Sequence, residues 1–396
     1  MTDTNRSTPT PSLDEEPETG ECIPLVPQAV SEEITEADIE RFSRVVSTRL
    51  DKSQEERIVT PAVTYPHQET VLAVHWHPEH IPMDLIRRRI AGTFPDMTES
   101  LIIPTQHNEI LTYDGYAGVE VDCLSTGFNQ KVQLLLHFTA EKVEDAPVLK
   151  EMLAHTFQYR SSQLFDFIRT LAEPVEDRLD RAARLTGASP QLVRFVRSWV
   201  KKIGRILDDR MAEVPRMSIK NKLLRNYFDT LRPDYGETLI DRAQTFLAAV
   251  KKEVKAEFPL QYFYRTSEII EEARHHGAGI VIPHPEQFWP ILLAEYDVDG
   301  YEVWNPQSLK YTHFLISVLT EKNRTRPESK RKLLIFMGDD THIGEKARDP
   351  REQNREKAAR EIGVQTAWDD LTIRKSLIKA NFNRHRVIEE YRSRLA

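Results

Sequence analysis

With 396 residues, 40% of them hydrophobic and 29% charged, the chain has room for one large domain with an insertion or for two domains, and its composition is that of an ordinary globular protein. A formal net charge of −8 gives no overall reason to expect a nucleic-acid partner. The two cysteines, Cys22 and Cys123, exclude a disulfide framework and a thiolate zinc cage, so any metal has to be held by imidazole and carboxylate.

Residues 1–32 are rich in Thr, Pro, Ser, Asp and Glu with almost nothing to bury, which predicts a disordered acidic tail, and they lack the basic and apolar regions of a secretory signal. A helix is expected from Glu33 to about Asp51, capped near Ser31 or Thr35, in an N-terminal segment that runs to residue 68. From Thr70 the texture changes to short β-branched and apolar runs: TVLAVH, SLIIPTQH, YAGVEVD, VQLLLHF, GAGIVIPH, DGYEVWN and KLLIFMGDDTH. Buried strands of this length alternating with helical stretches predict an α/β fold with a largely parallel sheet. The strand texture occupies 69–146, breaks over 147–267, and resumes in 268–396, ending in charged helical sequence from Arg351 to Arg394. The interruption reads as consecutive amphipathic helices, for example PQLVRFVRSWVKKIGRILDDRM. Between Arg181 and Lys255 there are 17 Lys plus Arg against 8 Asp plus Glu, so a basic insertion sits in an acidic chain. That excess suits either a solvated helical face or an anion-facing lid. No stretch is long and apolar enough to cross a bilayer, so the expected location is the cytoplasm.

The apolar runs end in chemistry. TVLAVHWH ends in His75 and His77, SLIIPTQH in His107, GAGIVIPH in His284, and LLIFMGDDTH in Asp340 and His342; His137 lies near the end of VQLLLHF and Glu120 inside YAGVEVD. Active-site groups of parallel α/β sheets gather at the carboxyl ends of strands, where the loops open. Thirteen histidines scattered at random would not place six there. In an extended segment residues i and i+2 point to one side, so His75 with His77, and Asp340 with His342, can each face one cation. A carboxylate buried among imidazoles is costly without a cation to compensate it. Trp76, Trp289 and Trp304 flank these positions as core or as pocket lining.

HWH at 75–77, TQHN at 105–108, GVEVDC at 118–123, LLLHF at 134–138, GIVIPHPEQ at 279–287 and GDDTH at 338–342 follow the order and approximate spacing of a known motif series. Over about 69–146 and 268–375 the chain resembles the polymerase and histidinol phosphatase (PHP) domain superfamily, and DGYEVWN at 299–305 is similar to its usual DGIEV strand. The resemblance implies a distorted (β/α)7 TIM-like barrel holding two or three divalent cations, Zn, Mn or Fe. Carried over by position, His75, His77, Glu120 and Asp340 would hold one metal. Glu120 would bridge to a second held by His137 and His284, and His107 and His342 would serve a third. The stretch PEHIPMD departs from the pattern, offering His80, Glu79 or Asp84 where the family has a Ser-Asp pair or another histidine. Gln106 stands where an acid is usual, and Asp339 where serine is.

The implied activity is metal-dependent hydrolysis of a small or nucleotide-like anionic phosphoester, with a hydroxide bridging two cations as nucleophile. Asp340 and His342 are the proton carriers expected at the leaving group. Arg348 and Lys346 follow the closing motif closely enough to reach a substrate phosphate. Two alternatives share the same residues: attack on a C–N bond as in amidohydrolases, and a metal-binding scaffold whose insertion recruits a partner. Nucleic acid as substrate rests on the basic helices alone.

Overall fold

In the computed structural model, which describes residues 30–351 and 353–396, every apolar run from Thr70 onward contains a strand. The strands are β1 (Thr70–Ala73), β2 (Trp76–His77), β3 (Glu99–Ile102), β4 (Leu111–Tyr113), β5 (Tyr116–Ser125), β6 (Gln130–Thr139), β7 (Gly279–Ile282), β8 (Gly300–Trp304), β9 (Leu334–Met337) and β10 (Thr341–His342). The fold is mixed α/β. Hydrogen bonding sorts the strands into a six-stranded sheet in the order β4-β5-β6-β7-β8-β9 and two pairs, β1-β3 and β10-β2. The acidic tail expected over 1–32 lies, as far as residue 29, outside the described residues.

The expectation of a largely parallel sheet is corrected. β7, β8 and β9 run parallel, as do the two isolated pairs, but β4-β5, β5-β6 and β6-β7 are antiparallel. The cause is connection length. β5 and β6 are joined by a short turn closed by Asn129 in the left-handed region, and so short a link reverses the chain. β4, unforeseen in the sequence, is the first arm of a hairpin whose turn is Asp114-Gly115, both at positive φ (51° and 81°), the Asp-Gly signature of a type I′ turn.

The single N-terminal helix expected from Glu33 to Asp51 is two helices, Glu36–Val46 and Lys52–Val59. Each starts in a capping box, Thr35 with Asp38 and Asp51 with Gln54, so Asp51 opens a second helix instead of ending the first. The interruption is helical throughout, with principal helices Pro147–Phe157, Tyr159–Ala172, Glu176–Thr186, Pro190–Asp209, Lys222–Asp229 and Glu237–Glu257.

Two large apolar cores result. One packs the six-stranded sheet against the helices Thr266–His275, Thr312–Thr325 and Arg384–Leu395; the other lies within the insertion and takes in Phe42 and Val46 of the first helix. The helix Pro190–Asp209 buries Leu192, Phe195, Trp199, Val200, Ile203 and Leu207 along one stripe. Lys202 lies on the same stripe, neutralised by Asp38 at 2.6 Å with both side chains buried. Three arginines of the insertion are likewise paired within it: Arg178 with Asp166 and Glu257, Arg181 with Glu253 and Glu257, and Arg232 with Asp229 and Asp241. No helix among the described residues is long and apolar enough to cross a membrane.

Candidate metal centre

Strand register brings the histidines together. β10 pairs with β2 so that His342 stands opposite His77, and an isolated parallel bridge sets His107 opposite Glu120. The backbone N–H of Asp340 donates to the carbonyl of His75 (2.9 Å), laying the DxH segment alongside HxH. Trp76, between the two histidines, points away and packs edge-on against Tyr113.

Around this point His77 Nε2 lies 3.6 Å from Glu120 Oε2 and 3.4 Å from Asp340 Oδ1, and His75 Nε2 lies 3.7 Å from Asp340 Oδ1. His284 Nε2 is 3.6 Å from Glu120 Oε1, His342 Nε2 is 3.5 Å from Asp340 Oδ1, and His107 Nδ1 is 2.6 Å from Glu120 Oε2. His77 stacks on both His107 and His342, with ring centroids 4.4 Å away from each, and those two rings lie 6.1 Å from one another. Donors about 2.1 Å from one cation sit roughly 3–3.5 Å from each other, close to the spacing found here. Two groups of donors, His77 with His107 and His342, and His75 with His77 and Glu120, each lie within 4.8 Å of one another.

Hydrogen bonding leaves the cluster unfinished. His75 Nε2 and both ring nitrogens of His77 are buried without a hydrogen-bond partner among the described residues, and Glu120 Oε2, although 2.6 Å from His107 Nδ1, meets it outside hydrogen-bond geometry. Protein interiors rarely leave such atoms orphaned. A divalent cation is the partner that several neutral imidazoles and carboxylates can share, so the donor set fits a metal.

In the metal-free cluster the imidazoles divide in their affinity for protons. Burial pulls the His75 imidazole down, but Glu302, Asp340 and Glu120 outweigh it and raise the pKa to about 10. Burial, then the neighbouring His342 and His107, push His77 to about 3, leaving it neutral and able to act as a ligand. Burial acts upward on Glu120 and Asp340, yet His107 and His284 around the first, and His342, His77 and His75 around the second, hold both well below the usual carboxylate range. His342 is drawn down by burial and raised overall by Asp340 and Glu79.

A second layer of residues sets the orientation of the first. Glu302 binds His75 Nδ1 at 2.6 Å and accepts the backbone N–H of His284 at 3.1 Å, turning His75 Nε2 into the cluster. A Cβ on Gly338 would overlap the Glu302 carboxylate, so only glycine lets that group approach. Arg360 donates to the carbonyl and to Oδ2 of Asp340 (3.0 and 2.7 Å), leaving Oδ1 for the histidines. Glu79 Oε1 lies 3.6 Å from His342 Nδ1, and the Glu79 N–H donates to the side-chain oxygen of Gln106 at 3.1 Å. Of the seven described non-glycine residues at positive φ, Glu79, Asn108, His284 and Asp340 belong to this region, a concentration typical of a constrained site.

Of the residues singled out from sequence, the structure gathers His75, His77, His107, Glu120, His284, Asp340 and His342. His137 is a correction. Its Nε2 faces the Val74 carbonyl at 2.9 Å and its Nδ1 the Tyr391 hydroxyl at 2.6 Å, so neither nitrogen is open to a cation. It shares the inward face of the β5-β6 pair with Glu120, opposite Gly118, which is why its strand position looks like a ligand's. Lys346 is another correction: its ammonium is buried and donates to the carbonyls of Ala358 and Arg360 and to Glu361 at 2.6–2.7 Å, which leaves no donor for a phosphate. Arg348 lies between Asp229 of the insertion (3.8 Å) and Glu345 (3.5 Å). Glu79 is the residue of PEHIPMD that reaches a ligand, whereas Asp84 is exposed and His80 lies beside Glu79, its pKa lowered by burial. Trp76 and Trp304 are core, and Trp289 packs edge-on against Tyr311 and Phe314.

Sequence reasoning missed Glu302 and Arg360. Glu302 carried a usable signal, being the lone acid in the buried strand GYEVW, as Glu120 is at the centre of its own. Arg360 sits in charged sequence with nothing local to mark it.

No protein-family model matches the chain, and no curated protein matches it at a significant level. Among solved structures, one from Bifidobacterium adolescentis, described provisionally as a metal-dependent phosphoesterase, is similar at a TM-score of 0.36 and 15% identity, over 81% of this chain and 97% of its own. A likeness of that size assigns nothing to this chain, and the cluster is read from its own side chains.

Proposed function

We propose that the chain is a metal-dependent phosphoesterase of PHP type, acting on an anionic phosphoester. The observation that carries this is the convergence of five imidazoles with Glu120 and Asp340 around buried donors that lack partners. His75, His77, Glu120 and Asp340 would hold one cation. His107 and His284 border Glu120 and would contribute to a second position, with Glu120 presenting one oxygen toward His77 and His107 and the other toward His284. Imidazole with carboxylate suits Zn, Mn or Fe. Bound there, such cations supply Lewis acidity at the phosphoryl oxygens and lower the pKa of water toward neutrality.

The chain's own residues do the rest. Glu302 and Arg360 hold His75 and Asp340 so that the ligand atoms need no reorganisation. His342, flanked by Asp340 and Glu79, would carry the proton that the leaving oxygen takes. We read the three sheets as one distorted barrel. Its support is the backbone bonds that bridge them: Asn108, after β3, to Glu120 of β5, and Asp340, after β9, to His75, after β1.

The experiment is to load the purified chain with Mn or Zn, measure metal per chain by elemental analysis, and offer a chromogenic phosphoester. Turnover that is lost in His75→Ala and His342→Ala is expected. Stoichiometric metal with no turnover under any of several metals would remove the assignment.

A further inference from the structure

The insertion delivers cations to one side of the cluster. Lys220, just before the helix Lys222–Asp229, places Nζ 3.9 Å from Glu79 Oε1, and Glu79 is the residue that faces His342. Arg160, Lys222 and Lys357 act on the same ammonium as like charges. Lys222 faces Glu345 at 3.5 Å and acts, with Lys220, on Glu79 as an opposite charge. Cross pairs, Lys222 to Glu345 and Arg348 to Asp229, hold the insertion in this position. A surplus of positive charge next to the ligand cluster favours an anion there.

Farther from Glu79 the character changes. A cleft of about 1120 Å³ starts at Glu79 and Asn108 and is walled by the β4-β5 hairpin on one side and the helix Pro147–Phe157 on the other. Two rings on its walls carry guanidinium groups, Arg216 at 4.1 Å from the Phe157 centroid and Arg87 at 5.1 Å from that of Tyr113. Glu109, Asp114 and Glu144 line it too, with Lys150 the further cation, and Arg87 pairs with Asp114 at 3.5 Å. A string of phosphates would run past these acids at a cost, while a flat uncharged body would meet guanidinium planes backed by the buried rings of Tyr113 and Phe157.

Building on the phosphoesterase reading above, we propose that Lys220 anchors the phosphate of a phosphomonoester bearing one flat aromatic body, which the Tyr113–Phe157 cleft receives, and that polynucleotides are not the substrate. The reaction is hydrolysis: the oxygen of water bonds to phosphorus, the ester P–O bond breaks, and the leaving oxygen takes a proton, giving a hydroxyl compound and inorganic phosphate.

The test uses the full chain loaded with manganese, its metal content checked for each variant. Nitrophenyl phosphate, glycerol phosphate and a single-stranded oligonucleotide with a terminal phosphate are the substrates, and inorganic phosphate binding is followed by calorimetry. Lys220→Ala should raise KM for both small monoesters and weaken phosphate binding, each roughly tenfold or more, with kcat and metal content little changed; Lys220→Arg should recover most of the loss. Arg216→Ala should raise KM for the aryl ester alone. Unchanged KM and phosphate affinity in Lys220→Ala, or a higher kcat/KM for the oligonucleotide, would overturn the proposal. Metal-loaded parent chain that hydrolyses none of the three overturns the phosphoesterase assignment itself, which is recognisable before any variant is compared.

Discussion

Glu302 decides which nitrogen of His75 faces the cluster, because its carboxylate takes Nδ1 and leaves Nε2 for a cation. Glu302→Gln removes the charge but keeps a hydrogen-bonding group, so the fold should survive while metal affinity falls roughly 10- to 100-fold, measurable by calorimetric titration. The same contact sets a pH dependence. His75 is raised from the ordinary histidine value to about 10, so in the metal-free protein the pair contributes stability that is complete below pH 6.5 and lost as pH rises through about 10. His77 has the opposite sign: held at about 3, it stays neutral in the fold while the unfolded chain gains a proton below pH 6.5, so its contribution is lost on acidification. Cation binding at pH 7 therefore displaces a proton from His75, and titration in buffers of different ionisation enthalpy should show proton release that disappears in Glu302→Gln. Binding with no proton release in the parent chain would contradict this account of His75. Gly338 bears on the same contact: Gly338→Ala drives Glu302 away, and a fall in metal affinity without loss of the helical circular dichroism signal is expected.

At the scale of elements, the first helix belongs energetically to the insertion, since Phe42 and Val46 join its core and Asp38 neutralises the buried Lys202. Asp38→Ala would leave a buried cation without a partner and should cost about 3 kcal/mol in urea unfolding, whereas replacing both residues by apolar ones should recover most of the loss. An Asp38→Ala protein as stable as the parent would mean that Lys202 finds water instead. The β4-β5 hairpin was legible in principle from Asp114-Gly115, but β4 is too short to show an alternating pattern. The antiparallel pairings around β5 and β6 were legible in the shortness of the Thr126–Asn129 link, a signal that the dominant strand-helix alternation obscured.

For the whole molecule, the cluster gathers donors that cannot all be satisfied without a cation. Three mutually close imidazoles disfavour one another's protons. Metal should stabilise the fold, by about 2.7 kcal/mol when free cation is a hundredfold above Kd, and chelation should lower Tm correspondingly. A Tm unaffected by chelator in protein shown to contain metal would place that metal elsewhere. The amino-acid sequence by itself determined the strand runs, the helical interruption and the positions of the candidate donors, because periodicity and residue type are local properties. Tertiary structure alone decided which donors meet. His137 and Glu120 share one face of one strand pair, yet only one of them has neighbours that leave its polar atoms open. Lys346 and Lys220 are both cations near the ligands, and only packing buries the first among carbonyls and sets the second over Glu79. Hydrogen-bond saturation depends on partners far away in the chain, such as Tyr391 for His137, and no local pattern encodes it.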